Sequence, residues 1–561
     1  MEVTKSEKMN DESSTMDRLS YYEKSGKSTT WSGLDLKEYY GPKDVEKKEY
    51  DKEIGDPGGF PYTRGIFQNM YRGRIWTRRE LCGISGAKET NERIKYLINQ
   101  GQGGPSVILD LPGSMGIDAD HQRAAGEVGL IGCSISSIED MRSLVDGIPQ
   151  DKVSFSFAVA SCTSIAIFSK YLAVADEQGI DFSKLRGTIQ NDPLHARYNG
   201  FEAWNPPDLA RKIAVDVIEF SGRYVPNWYP ININLYDLRE MGLTAAQEVA
   251  YGFGIGLVYV DGLIERGLTI DDFAPRLAFY CSSHIDFFEE IAKLRAARRL
   301  WARIMKDRYG ARNPQSTQFR FGVHTAGCSL FPQEPLNNAI RVAYEAMAAV
   351  LSGAQSIHCC SYDEPIALPT AKSHKLAMRT QQILAYETGV ANVSDPLGGS
   401  YYIEELTDRL EEEILKIMDE VESQGGMYSA ISSKWLDQQF EEAAVGEQDR
   451  IEKGEHKVVG VNVLRGERDT ETPGGVQEID SAIEGRIIGE LKKFKEERPN
   501  EALQKSIDNL RRQAEKGEKQ NLVPAVIACV KANATLSEIM GIIREAYGYP
   551  YDEFGVVSCP F

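Results

Sequence analysis

The sequence predicts an α/β fold, a (β/α)8 TIM barrel with an extended N-terminal arm and a helical C-terminal region, and two observations carry that prediction. Eight short apolar or alternating runs recur between residues 84 and 375: Ser106–Leu111, Gly129–Ile135, Val153–Ala160, Gly187–Gln190, Ile231–Tyr236, Ala278–Ser282, Gln318–His324 and Gln355–Ser361. Helical patterns separate them, and strands that alternate with helices build βαβ units around a parallel sheet. Eight units over about 290 residues also match the usual size of such a barrel.

In chain order, residues 1–58 are polar and without sustained period, and they read as an arm that wraps a neighbouring chain. Residues 59–410 form the barrel. Residues 411–561 form the helical region, with helix patterns at Asp408–Glu422, Ile487–Glu497 and Ala502–Glu515. Thr535-Leu-Ser-Glu538 is a capping box ahead of an apolar helix. Gly252-Phe-Gly-Ile-Gly256 lacks the strand–turn–helix setting of a nucleotide loop and reads as close helix packing.

The alternation inside the runs indicates what the barrel encloses. One face carries Asn232, Asn234 and Tyr236; another carries Ser154, Ser156, Ala158 and Ala160; a third carries Ser356, His358 and Cys360. Barrels normally fill their centres with Val, Ile and Leu, and the outer helices need an apolar strand face. A small polar face therefore points inward and predicts an axial channel.

Composition excludes several classes. The 561 residues carry a net charge of −19, the wrong sign for a nucleic-acid binder. No apolar run approaches the ~20 residues of a membrane span, and the N-terminus lacks the apolar core of a secretory signal. Nine cysteines without a Cys-x-x-Cys spacing predict free thiols, no metal site and a cytoplasmic protein.

Against this acidic background, Arg64–Leu81 is an island with five arginines among Ile66, Phe67, Met70, Tyr71, Ile75 and Trp76. Arginine forks hold phosphate oxygens bidentately, and aromatic faces cover planar groups. The stretch reads either as a site for a phosphate-bearing ligand or as a surface turn that pairs with surplus acids.

RGIFQNMYRGRIWTRREL (64–81) also resembles the methylmalonyl-CoA mutase family, as do GTIQND (187–192), FAPRLAF (273–279), KLRAARRLWA (293–302), YDEPIALPT (362–370) and DPLGGSYYIEELT (395–407). The likeness spans roughly residues 60 to 410 in family order. It implies an adenosylcobalamin-dependent mutase, an isomerase that moves a group between adjacent carbons of an acyl-CoA by radical chemistry, with CoA threaded along the barrel axis. By resemblance Phe67, Met70, Arg74, Thr77, Arg79, Ser106, Thr188 and Arg276 line the CoA path. Gln190 holds the thioester carbonyl, and Tyr236 packs on the deoxyadenosyl group. Glu240 and Glu364 face the adenosyl side; Leu109, Ile131, Gly327 and Ala367 face the corrin.

The departures from the family pattern bear on substrate. Leu81 replaces a tyrosine, Gly200 an arginine that pairs a substrate carboxylate, Asp237 a histidine on the thioester carbonyl, and Gly322 a histidine near the corrin, with His324 two residues on. The acyl pocket becomes larger and less polar. This predicts a substrate bulkier than methylmalonyl-CoA, an aryl- or alkyl-substituted malonyl or succinyl skeleton whose second carboxylate Arg197 meets. Methylmalonyl-CoA itself or a branched monocarboxylic acyl-CoA is the alternative. Asp237 donates to the carbonyl if burial keeps it protonated, and otherwise has another role. None of the seven histidines lies in the family's cobalt-ligating Asp-x-His-x-x-Gly loop. The expectation is therefore a large subunit whose cobalt ligand comes from a small cobalamin-binding partner, as a homodimerised chain or heterotetramer. A non-catalytic CoA-binding paralogue is the rival.

Overall fold

The structure is a computed structural model that describes residues 28–198, 205–466, 475, 480 and 482–561. Its strands form two parallel five-stranded sheets that share both seams. Thr77–Arg79 edges one sheet and Leu81–Cys82 the other, with only Glu80 between them. Trp228–Tyr229 and Ile231–Asn234 stand in the same relation across Pro230, whose ring nitrogen has no hydrogen to give a ladder. Joined across these single residues, the strands close one barrel of eight. We number them β1 (Thr77–Arg79 with Leu81–Cys82), β2 (Ser106–Ile108), β3 (Phe155–Ala158), β4 (Gly187–Ile189), β5 (Trp228–Tyr229 with Ile231–Asn234), β6 (Leu277–Ser283), β7 (Phe321–Thr325) and β8 (Ser356–His358). β8 closes on β1 with His358 opposite Arg79.

The barrel is the predicted one, with one strand reassigned. Gly129–Ile135 is a loop that touches its neighbours through two isolated bridges, Leu109 to Cys133 and Gly86 to Ser134. A Cβ on Gly132 would lie 2.1 Å from the Leu109 carbonyl oxygen, so this loop presses on the backbone after β2. The missing strand is β1, inside the arginine-rich stretch. Its inward residues are Thr77, Arg79 and Leu81, so it lacks the apolar signature by which the others are found.

Helices α1 (Ala87–Asn99), α2 (Ile138–Val145), α3 (Ser164–Glu177), α4 (Pro207–Tyr224), α5 (Ala245–Glu265), α6 (Phe287–Arg303), α7 (Leu336–Leu351) and α8 (Ala371–Tyr386) follow the eight strands. α5 starts at a reciprocal cap in which Thr244 N–H donates to Gln247 Oε1 at 3.0 Å and Gln247 N–H to Thr244 Oγ1 at 3.2 Å. A Cβ on Gly252 would lie 2.3 Å from Leu235, and one on Gly256 2.8 Å from Ile233. These glycines bring α5 onto β5, as the sequence predicts.

α6 buries Lys293, Arg295, Arg298 and Arg299, and each is paired. Arg298 donates to the carbonyls of Tyr62, Thr63 and Ser352, pinning the segment that leads into β1. Asp395 holds Arg64 and Arg295 together. Losing one partner of such a buried pair costs several kcal/mol.

The helical region continues as α9 (Tyr401–Ser423), α10 (Met427–Ser432), α11 (Trp435–Glu452), α12 (Ala482–Glu497), α13 (Asn500–Ala514), α14 (Val523–Lys531) and α15 (Leu536–Ala546). α9 packs on α5 and α6, and α14 on α3. The Thr535–Glu538 box caps α15. The described part of the arm packs on its own chain. Trp31 N–H donates to Asp286 at 2.7 Å, its ring stacks on His456 at 3.9 Å, and Lys48 pairs with Asp408. Residues 1–27 lie outside the described residues. Among the described residues no helix is long and apolar enough to cross a membrane.

Candidate functional site

The polar strand faces do point inward. They line a cavity of about 1140 Å³ that runs from one end of the barrel to the other. Registered neighbours make its wall: Leu81, Ser106, Ser156, Thr188 and Tyr229 on one side, Thr77, Ser356, Gly322, Tyr280 and Asn234 on the other. A Cβ on Gly322 would lie 2.5 Å from Ser356 Oγ and 3.5 Å from the Tyr280 ring, so the missing side chain keeps the bore open. Gly322 sits one inward position deeper than His324, and the histidine nearer the mouth is His324.

At the N-terminal ends of the strands the lining is cationic. Arg186, Arg276 and Arg320 each immediately precede a strand, and Arg74 approaches from the segment before β1. Arg276 reaches Tyr229 Oη and Asn227 Oδ1 at 3.4 Å each and lies over the Tyr229 ring. Arg320 lies over Phe67 at 5.7 Å while Gln318 accepts one of its N–H groups. Met70 and Thr77 complete this mouth. Arg186, Arg320 and Asn227 were not singled out in the sequence. The signal was available, because all three cations share the position occupied by Arg276 before β6.

The five arginines of the 64–81 stretch divide between two roles. Arg64 pairs with Asp395, and Arg78 donates to the Gly101 carbonyl at 3.1 Å. Arg72 does not line the cavity; Arg74 and Arg79 do. Arg79 donates from Nη1 to the carbonyls of Gly104, Pro105 and Ser154 at 3.3–3.5 Å, and burial lowers its pKa to about 10. It braces the starts of β2 and β3 as well as lining the bore. Arg74 makes no hydrogen bond or ion pair with the described residues.

The opposite end is walled by Leu81, Gln190, Tyr236, Tyr280, His324 and His358. Tyr236 stacks on His324 at 4.2 Å, and His324 meets His358 edge-on at 3.9 Å. Burial lowers His324 to about 4 and holds His358 well below the ordinary imidazole value, so both rings are neutral at pH 7. Leu81 N–H donates to His358 Nε2 at 3.4 Å. The Gln190 side-chain amide makes no hydrogen bond with the described residues and opens on the cavity. No lysine lines the cavity among the described residues, and Arg79, in register with His358, turns its guanidinium to the Gly104, Pro105 and Ser154 carbonyls at the starts of β2 and β3.

Asp237 also lines this end, with 23% of its side chain exposed. Its Oδ2 lies 2.7 Å from Nε2 of the fully buried His195. Burial alone would raise the carboxyl, but the His195 hydrogen bond and charge, with Asn234 and His324, hold it below the ordinary range. The carboxylate is ionised, so it cannot donate to a thioester carbonyl, and that part of the expectation falls. Arg197 fails as the substrate's cation too: it is turned to Asp437 and does not line the cavity. Gly200 lies outside the described residues.

The C-terminal mouth meets the demands of a large flat cofactor. Leu109, Leu111 and Ile131 make an apolar rim, and Ile131 is 40% exposed. Glu240 accepts the Gly327 N–H at 3.0 Å and the Cys328 N–H at 2.7 Å. A Cβ on Gly327 would come within 3.0 Å of Glu240 and 3.3 Å of Tyr236 Oη, so glycine leaves room beside them. Burial raises Glu240 to about 8, and Glu364 stands exposed at the rim of the mouth, an arrangement that suits carboxyls meeting hydroxyl groups. Ala367 sits in the loop after β8, half-buried and outside the cavity lining. His324, Cys360 and Glu364 bring three donor atoms within 4.8 Å of one another, but His324 Nδ1 and Cys360 Sγ both face the Thr325 carbonyl, at 2.6 and 3.1 Å.

Comparison with known proteins agrees with this geometry. The family described as methylmalonyl-CoA mutase matches residues 29–549. The 2-hydroxyisobutanoyl-CoA mutase large subunit of Aquincola tertiaricarbonis is 40% identical over 498 residues, covering 89% of this chain and 88% of that one. The methylmalonyl-CoA mutase of Cereibacter sphaeroides is 40% identical over 529 residues, 94% of this chain and 74% of that one. The mitochondrial methylmalonyl-CoA mutase of Homo sapiens is 37% identical over 520 residues, 92% and 68% of the two chains.

Proposed function

The chain belongs to the methylmalonyl-CoA mutase family, and we propose that it is the substrate-binding large subunit of an adenosylcobalamin-dependent mutase for a branched, uncharged acyl-CoA. One observation carries this reading: four arginines line one end of the bore, while the arginine beside the other end, Arg79, is engaged by three backbone carbonyls. A CoA ester has that polarity, with phosphates at one end and a small acyl group at the other. The name of the Aquincola relative, a large subunit acting on a branched hydroxyacyl ester, supports both the subunit role and the acyl class. A substituted malonyl or succinyl group is disfavoured because Arg197 is paired with Asp437 and Arg79 is engaged by backbone carbonyls, so neither is turned to a second carboxylate.

Arg74, Arg186, Arg276 and Arg320 hold the nucleotide phosphates. The small inward side chains admit the pantetheine arm in extended form. Gln190 donates its amide to the thioester carbonyl in place of the absent histidine. Leu81 leaves the space of a ring for the branched carbon. The apolar rim, Glu240 and Glu364 hold the cofactor, which when bound supplies the radical that abstracts substrate hydrogen. The surrounding wall, with neutral His324 and His358 beside Tyr236, positions the acyl carbon and excludes water.

The cobalt ligand comes from a small partner subunit. The chain with adenosylcobalamin alone is expected to give no turnover, and addition of a cobalamin-binding partner bearing an Asp-x-His-x-x-Gly loop is expected to give rearrangement. Robust turnover without the partner would contradict the two-subunit reading.

A further inference from the structure

Asp237 is an unusual group to find at the acyl end of a CoA-ester site. A carboxylate accepts hydrogen bonds and cannot give one, so it offers nothing to a thioester carbonyl. It is also held from behind. His195 Nε2 lies 2.7 Å from Asp237 Oδ2, and His195 Nδ1 lies 2.9 Å from the Asp192 carbonyl. Asp192 is fixed in turn by the Tyr259 hydroxyl at 2.6 Å and the Asn234 N–H at 2.8 Å. Asp237 N–H donates to Asn234 Oδ1 at 3.1 Å. Asp192, His195, Asn234 and Tyr259 are all at least nine-tenths buried, and of the group Asn234 and Asp237 line the bore, with Asp237 the more exposed. This is a braced anion pointing at the acyl group.

We propose that Asp237, positioned by His195, is a charge filter that rejects acyl groups bearing a carboxylate. The inference rests on the CoA-ester reading of the bore. Two negative charges between protein walls repel more than in bulk water, and the arginine nearest this end, Arg79, is engaged by the Gly104, Pro105 and Ser154 carbonyls. The clamp on Oδ2 removes the easy escape, rotation of Asp237 away from the ligand. The filter therefore acts on charge, separately from the size selection that Leu81 makes.

Calorimetric binding to the purified chain tests this without the partner subunit. The probes are CoA, isobutyryl-CoA and methylmalonyl-CoA, with acyl groups of similar width that differ in charge. Wild type is expected to bind isobutyryl-CoA at least ~10-fold more tightly than methylmalonyl-CoA, from the size of shielded like-charge repulsion. Asp237→Asn keeps the shape and removes the charge, and should bring the affinity ratio of the two esters close to one. Asp237→Ser should do the same, and retained CoA binding shows that each variant is folded. Equal affinities in wild type, or a ratio unchanged in both variants, would overturn the filter and leave the CoA reading standing. Failure of wild type to bind any of the three would overturn the CoA reading itself.

Discussion

The carboxylate of Glu240 receives the backbone N–H of Cys328 at 2.7 Å, tying the short helix after β5 to the loop after β7 at the C-terminal mouth of the barrel. Burial raises its pKa to about 8, against 4.5 for an ordinary glutamate. A carboxyl whose folded-state pKa is raised contributes stability that is present below the unfolded value and lost as pH climbs through the folded one. Glu240→Gln mimics the protonated form. The Tm of the variant relative to wild type should therefore rise as pH goes from about 6 to about 9. A difference that stays flat over that range would show that Glu240 does not titrate there.

The cationic mouth gives a second expectation. Arg74→Ala and Arg276→Ala should each weaken CoA-ester binding by ~1.5–3 kcal/mol, the range for hydrogen bonds to charged groups. Arg78→Ala, whose guanidinium serves the Gly101 carbonyl on the far side of the same strand, should leave affinity unchanged. Titration calorimetry separates the three. Arg79→Ala should lower Tm, because three backbone carbonyls lose their donor.

Gly322 tests the bore. Gly322→Val puts branched carbons against Ser356 and Tyr280, its neighbours on the same wall of the bore. Affinity for CoA thioesters should fall at least ~10-fold, since overpacking a filled site costs ~1–3 kcal/mol. Unchanged affinity would mean that the ligand does not thread the barrel.

Much of this was legible in the sequence, and the gaps have physical causes. Seven strands announced themselves by alternation, and the small polar faces gave the channel. β1 was hidden because its inward residues, Thr77 and Arg79, line the bore and not a core. Gly129–Ile135 looked like a strand because it is apolar, but it is a loop in which Ile131 lines the mouth while Cys133 and Ile135 join the core. The arginine island mixed two roles that only contacts can separate, since Arg64 and Arg78 brace the chain while Arg74 lines the bore. The His195–Asp237 pair was invisible, because the partners lie 42 residues apart and meet only when β4 and β5 are adjacent.

Under the proposed function, Leu81 sets acyl size. Leu81→Tyr should reduce kcat/KM for a bulky branched ester by ~10–100-fold through loss of space while sparing CoA affinity. An equal loss of CoA binding would instead indicate a distorted β1.

The most direct test of the whole account is a paired kinetic comparison with the cobalamin-binding partner present. A branched, uncharged acyl-CoA should be rearranged with kcat/KM at least ~100-fold above that for methylmalonyl-CoA, about 2.7 kcal/mol of transition-state discrimination. A preference for methylmalonyl-CoA over every branched uncharged ester would contradict it.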